Sequence, residues 1–507
     1  MKTEQTPNLE VLSNELAEKM RIWSQANPHA TLTEIEIAVD KEVAKLRRTI
    51  VESLAQTRAV VEPNSHTCPQ CERQMVKNGK RKRKLKAKEG QTIELERQQM
   101  RCLSCGMTLF PLDEVLGLGS GAYTPQVQEA ITRLGSRLPY SEARDELAWL
   151  WGVKISKGGV RHVTVSHGQI ADELIEQEVA RLEQEAPRAT AQPKQLVMST
   201  DGAMVQLTSG EWREVKTVAF GEFEAQWDVR NKQVVTTTKN ISYFSRAGNA
   251  EAFTTAALYE WQRRGGENAE RVVAVNDGAP WIQAFIDYHA PQATRVIDFA
   301  HAQAYLATIG KAIYGAESEQ FKQWYGKMSQ QLGKQAPQRT LSELRLLQQQ
   351  NQTHPEAETI EQAIRYLEKR ETMIDYPHFR KMQVPIGSGM VESGHKVVMQ
   401  RRMKQAGMRW AEANLNPMLA LRLALCNKTW STNWQAIHTH ALHRKRQQRL
   451  NKTHWVVQPN PAETVTEADC QKLIQLAGKM ERLSQKKQPW QDHKWIFPQR
   501  RGVLHKN

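Results

Sequence analysis

A chain of 507 residues and 57.9 kDa, 40% hydrophobic and 25% charged, has the length for about three or four domains and the composition of a globular protein. No apolar run approaches the roughly 18 residues of a membrane span, and the polar, amphipathic start MKTEQTPNLEVLSNELAEKM lacks the apolar core of a signal peptide; the expectation is a cytoplasmic, nucleoid-associated protein with no membrane partner. A formal charge of +15 and a pI near 9.5 favour an anionic partner, nucleic acid first, although an unrelated basic enzyme or a membrane-surface protein carries the same signature.

Residues 1–62 read as an N-terminal helical segment. NLEVLSNELAEKMRIW and TLTEIEIAVDKEVAKLRRTIVESLAQ repeat apolar residues at three-and-four spacing, and VVEPNSHTCP breaks the pattern. Residues 63–112 hold four of the six cysteines, Cys68 and Cys71 in CPQC and Cys102 and Cys105 in CLSC. Without an export signal, such pairs indicate metal rather than disulfides. Two thiolate pairs on tight knuckles supply the four soft ligands of a structural Zn²⁺, and the segment between them reads as the strands of a zinc ribbon. Cys426 and Cys470 stand alone and read as inert thiols. The run from Lys77 to Lys88 carries eight cations in twelve residues, among them Lys80, Arg81, Lys82, Arg83 and Lys84. Phosphate neutralisation is its natural use; a solvated charge run is the plain alternative.

Residues 113–190 return to helix. In YSEARDELAWLWGVKISKGGVRHVTVSHG, the apolar Ala143, Leu147 and Leu150 mark one helix, Gly152 sits at the turn, and Ser156 can cap a second helix through Val160, Val163 and Thr164. That spacing is helix-turn-helix-like and would turn Lys157 and Arg161 toward a DNA groove. An ordinary helical hairpin has the same pattern, and Gly158–Gly159 weakens the second helix. Residues 191–194 read as a linker.

From Gln195 the period changes to short β-branched runs: QLVMSTDGAMVQL, WREVKTVAFGEF, KQVVTTTKNISYF, ERVVAVNDGAPWI and ATRVIDFAHAQAYL. Three strands, a helix, then alternating strands and helices predict an α/β domain with a mixed sheet over 195–430. A helical stretch at about 303–380 interrupts it, and 431–507 reads as a basic, partly helical C-terminal tail.

Asp201 and Asp277 each follow an apolar strand and precede glycine. Carboxylates at strand ends face the rim where ligands gather in α/β folds, although Asp before Gly is also ordinary turn chemistry. Glu392 lies in IGSGMVESGHKVVMQRRMKQAGMRW, where Ser388 can cap a helix and Gly387 and Gly389 allow close packing on the sheet. Converging, the three carboxylates give hard oxygen ligands suited to Mg²⁺ or Mn²⁺, two of which clamp the attacking and leaving oxygens of a phosphodiester displacement. Glu392 can instead form an i,i+4 pair with Lys396. Lys396, Arg401, Arg402, Lys404 and Arg409 are placed to hold phosphates beside the metals. Trp410 either stacks on an unpaired base or packs in the core. Asp298 is a rival metal ligand, and His301 one turn later is a general base or a supporting group; a strand-end Asp capping its own helix is the plain alternative.

The motifs TDG, NDGAPWI, VIDFAHAQAYL and IGSGMVESGHKVV…RMKQAGMRW, over about residues 195–425, resemble the bacterial insertion-sequence transposases of the ISKra group, DDE enzymes distantly similar to Mutator-like elements. The resemblance implies an RNase H-like catalytic domain, with Asp201, Asp277 and Glu392 as the metal-binding triad and a D-x-x-H signature at Asp298 and His301. The fold class expected is multidomain α+β: an RNase H-like α/β domain with an all-helical insertion, preceded by a helical N-terminus, a zinc ribbon and a helix-turn-helix-like segment. The 115 residues from Asp277 to Glu392 mark that insertion, which would place extra protein around DNA ends. The expected activity is strand cleavage and transfer on double-stranded DNA, with terminal inverted repeats and target DNA as partners, two Mg²⁺ or Mn²⁺ ions, and a homodimer or larger synaptic assembly. The rivals are a structure-selective nuclease without strand transfer and an inactive zinc-containing DNA-binding regulator.

Overall fold

The computed structural model of the protein describes residues 9–58, 66–229 and 232–454, with Gln471 and Gln475 as isolated positions. Cys470 and, those two positions apart, the tail beyond His454 lie outside the described residues. The described residues are mixed α and β, with two sheets. Among the described residues no helix is long and apolar enough to cross a membrane.

Helices Leu9–Ala26 and Leu32–Thr57 form the N-terminus. Thr31 starts the second with a capping box: its backbone N–H donates to Glu34 at 2.8 Å and its hydroxyl accepts the Glu34 N–H. The far end of this helix docks on the ribbon. Gln56 donates to the Glu96 carbonyl at 2.9 Å, and Glu52 accepts the Glu94 N–H at 2.7 Å.

The ribbon is a three-stranded sheet of β1 (Val76–Lys86), β2 (Thr92–Arg101) and β3 (Thr108–Leu109), antiparallel throughout. Its hairpin turn packs on a three-helix unit, Pro125–Gly135, Tyr140–Trp151 and Lys157–Glu185. The unit has its own core of Val127, Ile131, Ala143, Leu147, Val153 and Val160. Its turn follows the local chemistry: Gly152 ends one helix at φ +60°, and the Ser156 hydroxyl caps the next by accepting the Gly159 N–H at 3.0 Å. A Cβ at Gly152 would lie 2.9 Å from the Gly90 nitrogen, so this turn is also where the ribbon seats. Leu150 departs from the expected apolar face and is exposed.

Helix Lys157–Glu185 does not end with the three-helix unit. It continues into the next core, where Ile170, Ala171, Ile175 and Val179 are buried. It crosses the apolar helix Leu415–Cys426 at Gly168, where a Cβ would lie 2.7 Å from the Pro417 carbonyl oxygen.

The large sheet contains β4 (Gln195–Gln206), β5 (Trp212–Asp228), β6 (Gln233–Ala247), β7 (Arg271–Asn276) and β8 (Thr294–Ile297), in the order β6-β5-β4-β7-β8. β4, β5 and β6 are antiparallel, whereas β4, β7 and β8 run parallel through crossover helices. One face packs on helices Lys157–Glu185 and Leu415–Cys426. The other is covered by the helices of the 303–380 stretch, through Met328, Leu332, Leu344, Ile360 and Ile364 against Val197, Val275 and Val296. The insertion is therefore the second cover of the sheet, each buried aliphatic side chain contributing about 1.5–3 kcal/mol. The segment expected to begin a separate tail at 431 starts inside the core as well: Trp430, Trp434 and Ile437 of helix Trp430–His454 are buried there.

Candidate carboxylate site and thiolate cluster

Cys68, Cys71, Cys102 and Cys105 bring all four sulfurs within 4.8 Å of one another, with Cys68–Cys105 at 3.5 Å and Cys71–Cys102 at 3.4 Å. A tetrahedral ion with bonds of about 2.3 Å to sulfur needs sulfurs roughly 3.8 Å apart, so the cluster is at metal-binding distance. The two knuckles repeat one backbone solution. Cys68 N–H donates to the Arg73 carbonyl and Cys102 N–H to the Met107 carbonyl, both at 2.8 Å, and the residue four after each first cysteine, Glu72 or Gly106, has positive φ. Burial opposes ionisation of Cys102, but N–H groups of Cys105 and Ser104 and the Cys71 thiol outweigh it and bring its pKa down to about 6.

The carboxylates are arranged by strand register. β4 and β7 pair in parallel from Gln195↔Arg271 to Met198↔Ala274, and three residues further this register sets Asp277 level with Asp201. β7 and β8 pair as far as Asn276↔Ile297, which sets Asp298 level with Asp277. Three aspartates thus occupy one row across adjacent parallel strands, at the level where β7 and β8 end. Asp201 does not end its strand, as the sequence suggested. β4 runs on to Gln206 and pairs Asp201 with Thr217; what ends at this level is its parallel neighbour β7.

Asp201 and Asp277 each commit one oxygen to a local N–H, from Gly202 at 2.7 Å and Ala279 at 2.9 Å, which leaves Oδ2 of each for other partners. Burial raises the Asp201 pKa, the Asp277 charge adds to this, and His395 opposes it. His395 places Nδ1 3.5 Å from Asp201 Oδ2 and is itself buried, which lowers its pKa. Glu392 is exposed, on the short helix Gly389–Gly394 one turn before His395. Gly394, rather than Gly387 or Gly389, makes the close approach to the sheet: a Cβ there would lie 2.8 Å from the Tyr243 ring. Ser388 does not cap this helix with its side chain. Among the described residues only the four cysteines bring three or more ligand atoms within 4.8 Å of one another, so Asp201, Asp277 and Glu392 do not form a one-ion cluster. A pair of ions about 3.5–4 Å apart needs its outer ligands spread more widely than that.

Asp298 caps its own helix, Phe299–Tyr314, the plain alternative for a strand-end aspartate. Oδ1 accepts the His301 N–H at 3.0 Å, and Oδ2 accepts the Ser388 N–H at 2.5 Å. The Phe299 N–H donates to the Ile386 carbonyl at 3.0 Å beside it. Asp298 therefore ties the segment leading to Glu392 onto the end of β8. Burial pushes its pKa up, but the hydrogen bonds from His301 and Ser388 outweigh it and hold the carboxyl well below the usual range. The Asp298 contact in turn raises the His301 pKa. In Asp298→Asn one of the two N–H groups meets an amide N–H instead of an acceptor, an expected loss of about 1–3 kcal/mol in denaturant titration. The depressed folded pKa stabilises the protein above the unfolded value of about 3.9 and that stability is lost on acidification. The gap between wild type and variant should therefore close as pH falls below about 4; a gap independent of pH would show that the charge is not what holds Ser388.

Arg402, expected at a DNA surface, is inside the protein, Arg83 is half-buried, and Trp410 takes the packing alternative. Arg402 is 1% exposed, donates to the Gly135 carbonyl at 3.0 Å and lies between the rings of Tyr140 and Trp410. Trp410 is buried, donates from its indole to the Met403 carbonyl, and bridges the end of β4 through the Gln206 carbonyl and Thr208 N–H. Arg83 pairs with Asp113 and donates to the Gly119 carbonyl at 2.7 Å. Lys80 pairs with Glu96, and Lys82 and Lys84 with Glu94, so acids on β2 offset much of the basic face of β1. Arg81, Lys157, Arg161, Lys396, Arg401, Lys404 and Arg409 are exposed.

Three neighbours of the site escaped the sequence reading. His395 lies inside the quoted glutamate motif, three residues after Glu392, a spacing that brings it to the same helical face. Tyr366 and Arg370 of the insertion give no such signal. The Tyr366 hydroxyl donates to the Asp277 carbonyl, and Arg370 stacks on Tyr366 and donates to the Gly278 carbonyl at 2.8 Å.

The chain belongs to the family described as Uncharacterised protein family (UPF0236), which it matches over residues 26–438. Comparison with the curated proteins found no match.

Proposed function

We propose that this UPF0236 protein is a DNA transposase that cleaves element ends and transfers strands at a site built from Asp201, Asp277 and Glu392. The observation that carries the reading is the register that sets Asp201 and Asp277 level on adjacent parallel strands, with the Glu392 helix packed across the same sheet. The strand order, antiparallel in its first half and parallel in its second, supports an RNase H-like sheet.

The donor set fits Mg²⁺ or Mn²⁺. It offers hard oxygens, and the Asp277 charge disfavours ionised Asp201, a repulsion that a divalent cation relieves. Two such ions, when bound, stabilise the attacking and leaving oxygens of an in-line displacement. The protein's own groups do the rest. His395 orients Asp201, Tyr366 and Arg370 fix the Asp277–Gly278 turn, and Asp298 holds the approach to Glu392. Lys396, Arg401, Lys404 and Arg409 bind phosphates leading into the site, and Lys157 and Arg161 meet the DNA duplex from the three-helix unit. Zn²⁺ is the ion of the four-cysteine cluster and sets the ribbon. Two DNA ends brought together imply a dimer or larger assembly, working on chromosomal DNA in the cytoplasm.

The test is a strand-transfer assay with the DNA flanking the protein's own coding sequence, supplied as pre-cut ends with Mg²⁺ or Mn²⁺. Joined products are expected. Cleavage without joining would favour a nuclease, and binding with neither would favour a regulator.

A further inference from the structure

Away from the carboxylates, cations gather between the ribbon and helix Trp430–His454. Asp113 is buried and accepts through Oδ2 from both Arg83 at 2.9 Å and Arg97 at 2.7 Å. Lys445 reaches in from the C-terminal helix and donates to the Leu118 and Gly119 carbonyls at 3.1 and 3.0 Å. Burial and the charges of Arg449, Arg83 and Arg97 push the Lys445 ammonium down to about 8, with Asp113 opposing them. Among the described residues the buried Arg97 Nε has no hydrogen-bond partner. A cavity of about 180 Å³ opens here, with Asp113, Glu114, His443, Lys445, Arg446 and Arg449 in its wall. Among the described residues, and leaving Arg449 aside, Asp113 and Glu114 face four cations here: Lys445, Arg446 and, behind Asp113, Arg83 and Arg97.

Like charges crowded into a half-buried corner are unfavourable unless an anion offsets them. The hydrogen-bond geometry of guanidinium groups suits a tetrahedral oxyanion, and the cavity has volume for one. We propose that this cavity is a phosphate-binding site, taking either a backbone phosphate of nucleic acid or a free phosphate. The ribbon supplies one wall and the C-terminal helix the other, so a bound phosphate joins the two. The inference rests on neither the carboxylate site nor strand transfer.

The full-length protein is titrated with inorganic phosphate against chloride at matched ionic strength, and Tm is followed. DNA affinity is measured as a function of salt in parallel. The variants are Arg446→Gln/Arg449→Gln and, as a control outside the cavity, Arg444→Gln, whose guanidinium pairs with Glu173. We expect phosphate to raise Tm saturably in wild type and Arg444→Gln but not in the double variant. A log–log salt slope shallower by about 1–2 in the double variant alone assigns the site to a nucleic-acid phosphate. An unchanged slope with the phosphate effect intact in wild type assigns it to free phosphate. No Tm response in wild type together with an unchanged slope, or an equal loss in Arg444→Gln, overturns the site. The wild-type titration stands even where the double variant folds poorly.

Discussion

Asp201→Asn and Asp277→Asn are each expected to lower strand transfer from pre-cut ends on the order of 10³-fold, with DNA affinity and Tm near wild type. Asparagine keeps the shape of either side chain and the oxygen that accepts the Gly202 or Ala279 N–H. What it removes is charge at the proposed cation site. The structural cost is small because the Asp201 charge is disfavoured by burial and by Asp277 in the first place. Without divalent ions the variants should be as stable as wild type or slightly more so. Mg²⁺ should raise Tm in wild type and not in the variants, which separates metal binding from catalysis. Glu392→Gln is expected to join them in the transfer assay. Joining at wild-type rates by any of the three removes that carboxylate from the site.

The elements whose determinants are local were legible. A glycine with positive φ after Trp151 and a serine that accepts an N–H three residues on define a turn without help from the rest of the protein. The two knuckles likewise depend on a few residues each. Alternation and β-branching marked all five strands of the large sheet, and with them the three aspartates of its row, Asp201, Asp277 and Asp298. What failed was the assignment of cations by sequence neighbourhood. Arg401, Arg402 and Lys404 look equivalent in QRRMKQ, yet only Arg402 meets the Gly135 carbonyl, 267 residues away. Arg422 does the same at the Ser136 carbonyl, so two buried cations sit at the C-terminal end of helix Pro125–Gly135, where its dipole favours them. Their partners belong to another unit of the chain, and no periodicity records them. The same reason hides Tyr366: its role exists only because the insertion folds back onto the Asp277 turn.

Removing the metal from the four-cysteine cluster, by chelation or by Cys102→Ser, is expected to unfold the ribbon and leave the large sheet intact. The apolar core around the sulfurs consists of Met75, Met100, Met107 and Leu109, too little to hold two knuckles alone. Structural zinc binding is worth about 10–16 kcal/mol in small isolated sites, more than such a core supplies. The sheet has two separate and larger cores that share no residue with the ribbon. Limited proteolysis of the apo protein should therefore cut between about residues 66 and 110 and spare 195–430, and unfolding should split into two steps. DNA affinity should fall with it, because the ribbon turn braces the Gly152 turn from which the Lys157–Glu185 helix starts. Zinc added back should restore both the protection and the affinity in the chelated wild type but not in Cys102→Ser. An apo protein with the wild-type cleavage pattern and DNA affinity would mean that the ribbon stands on its contacts with Glu52, Gln56 and Gly152 rather than on a metal.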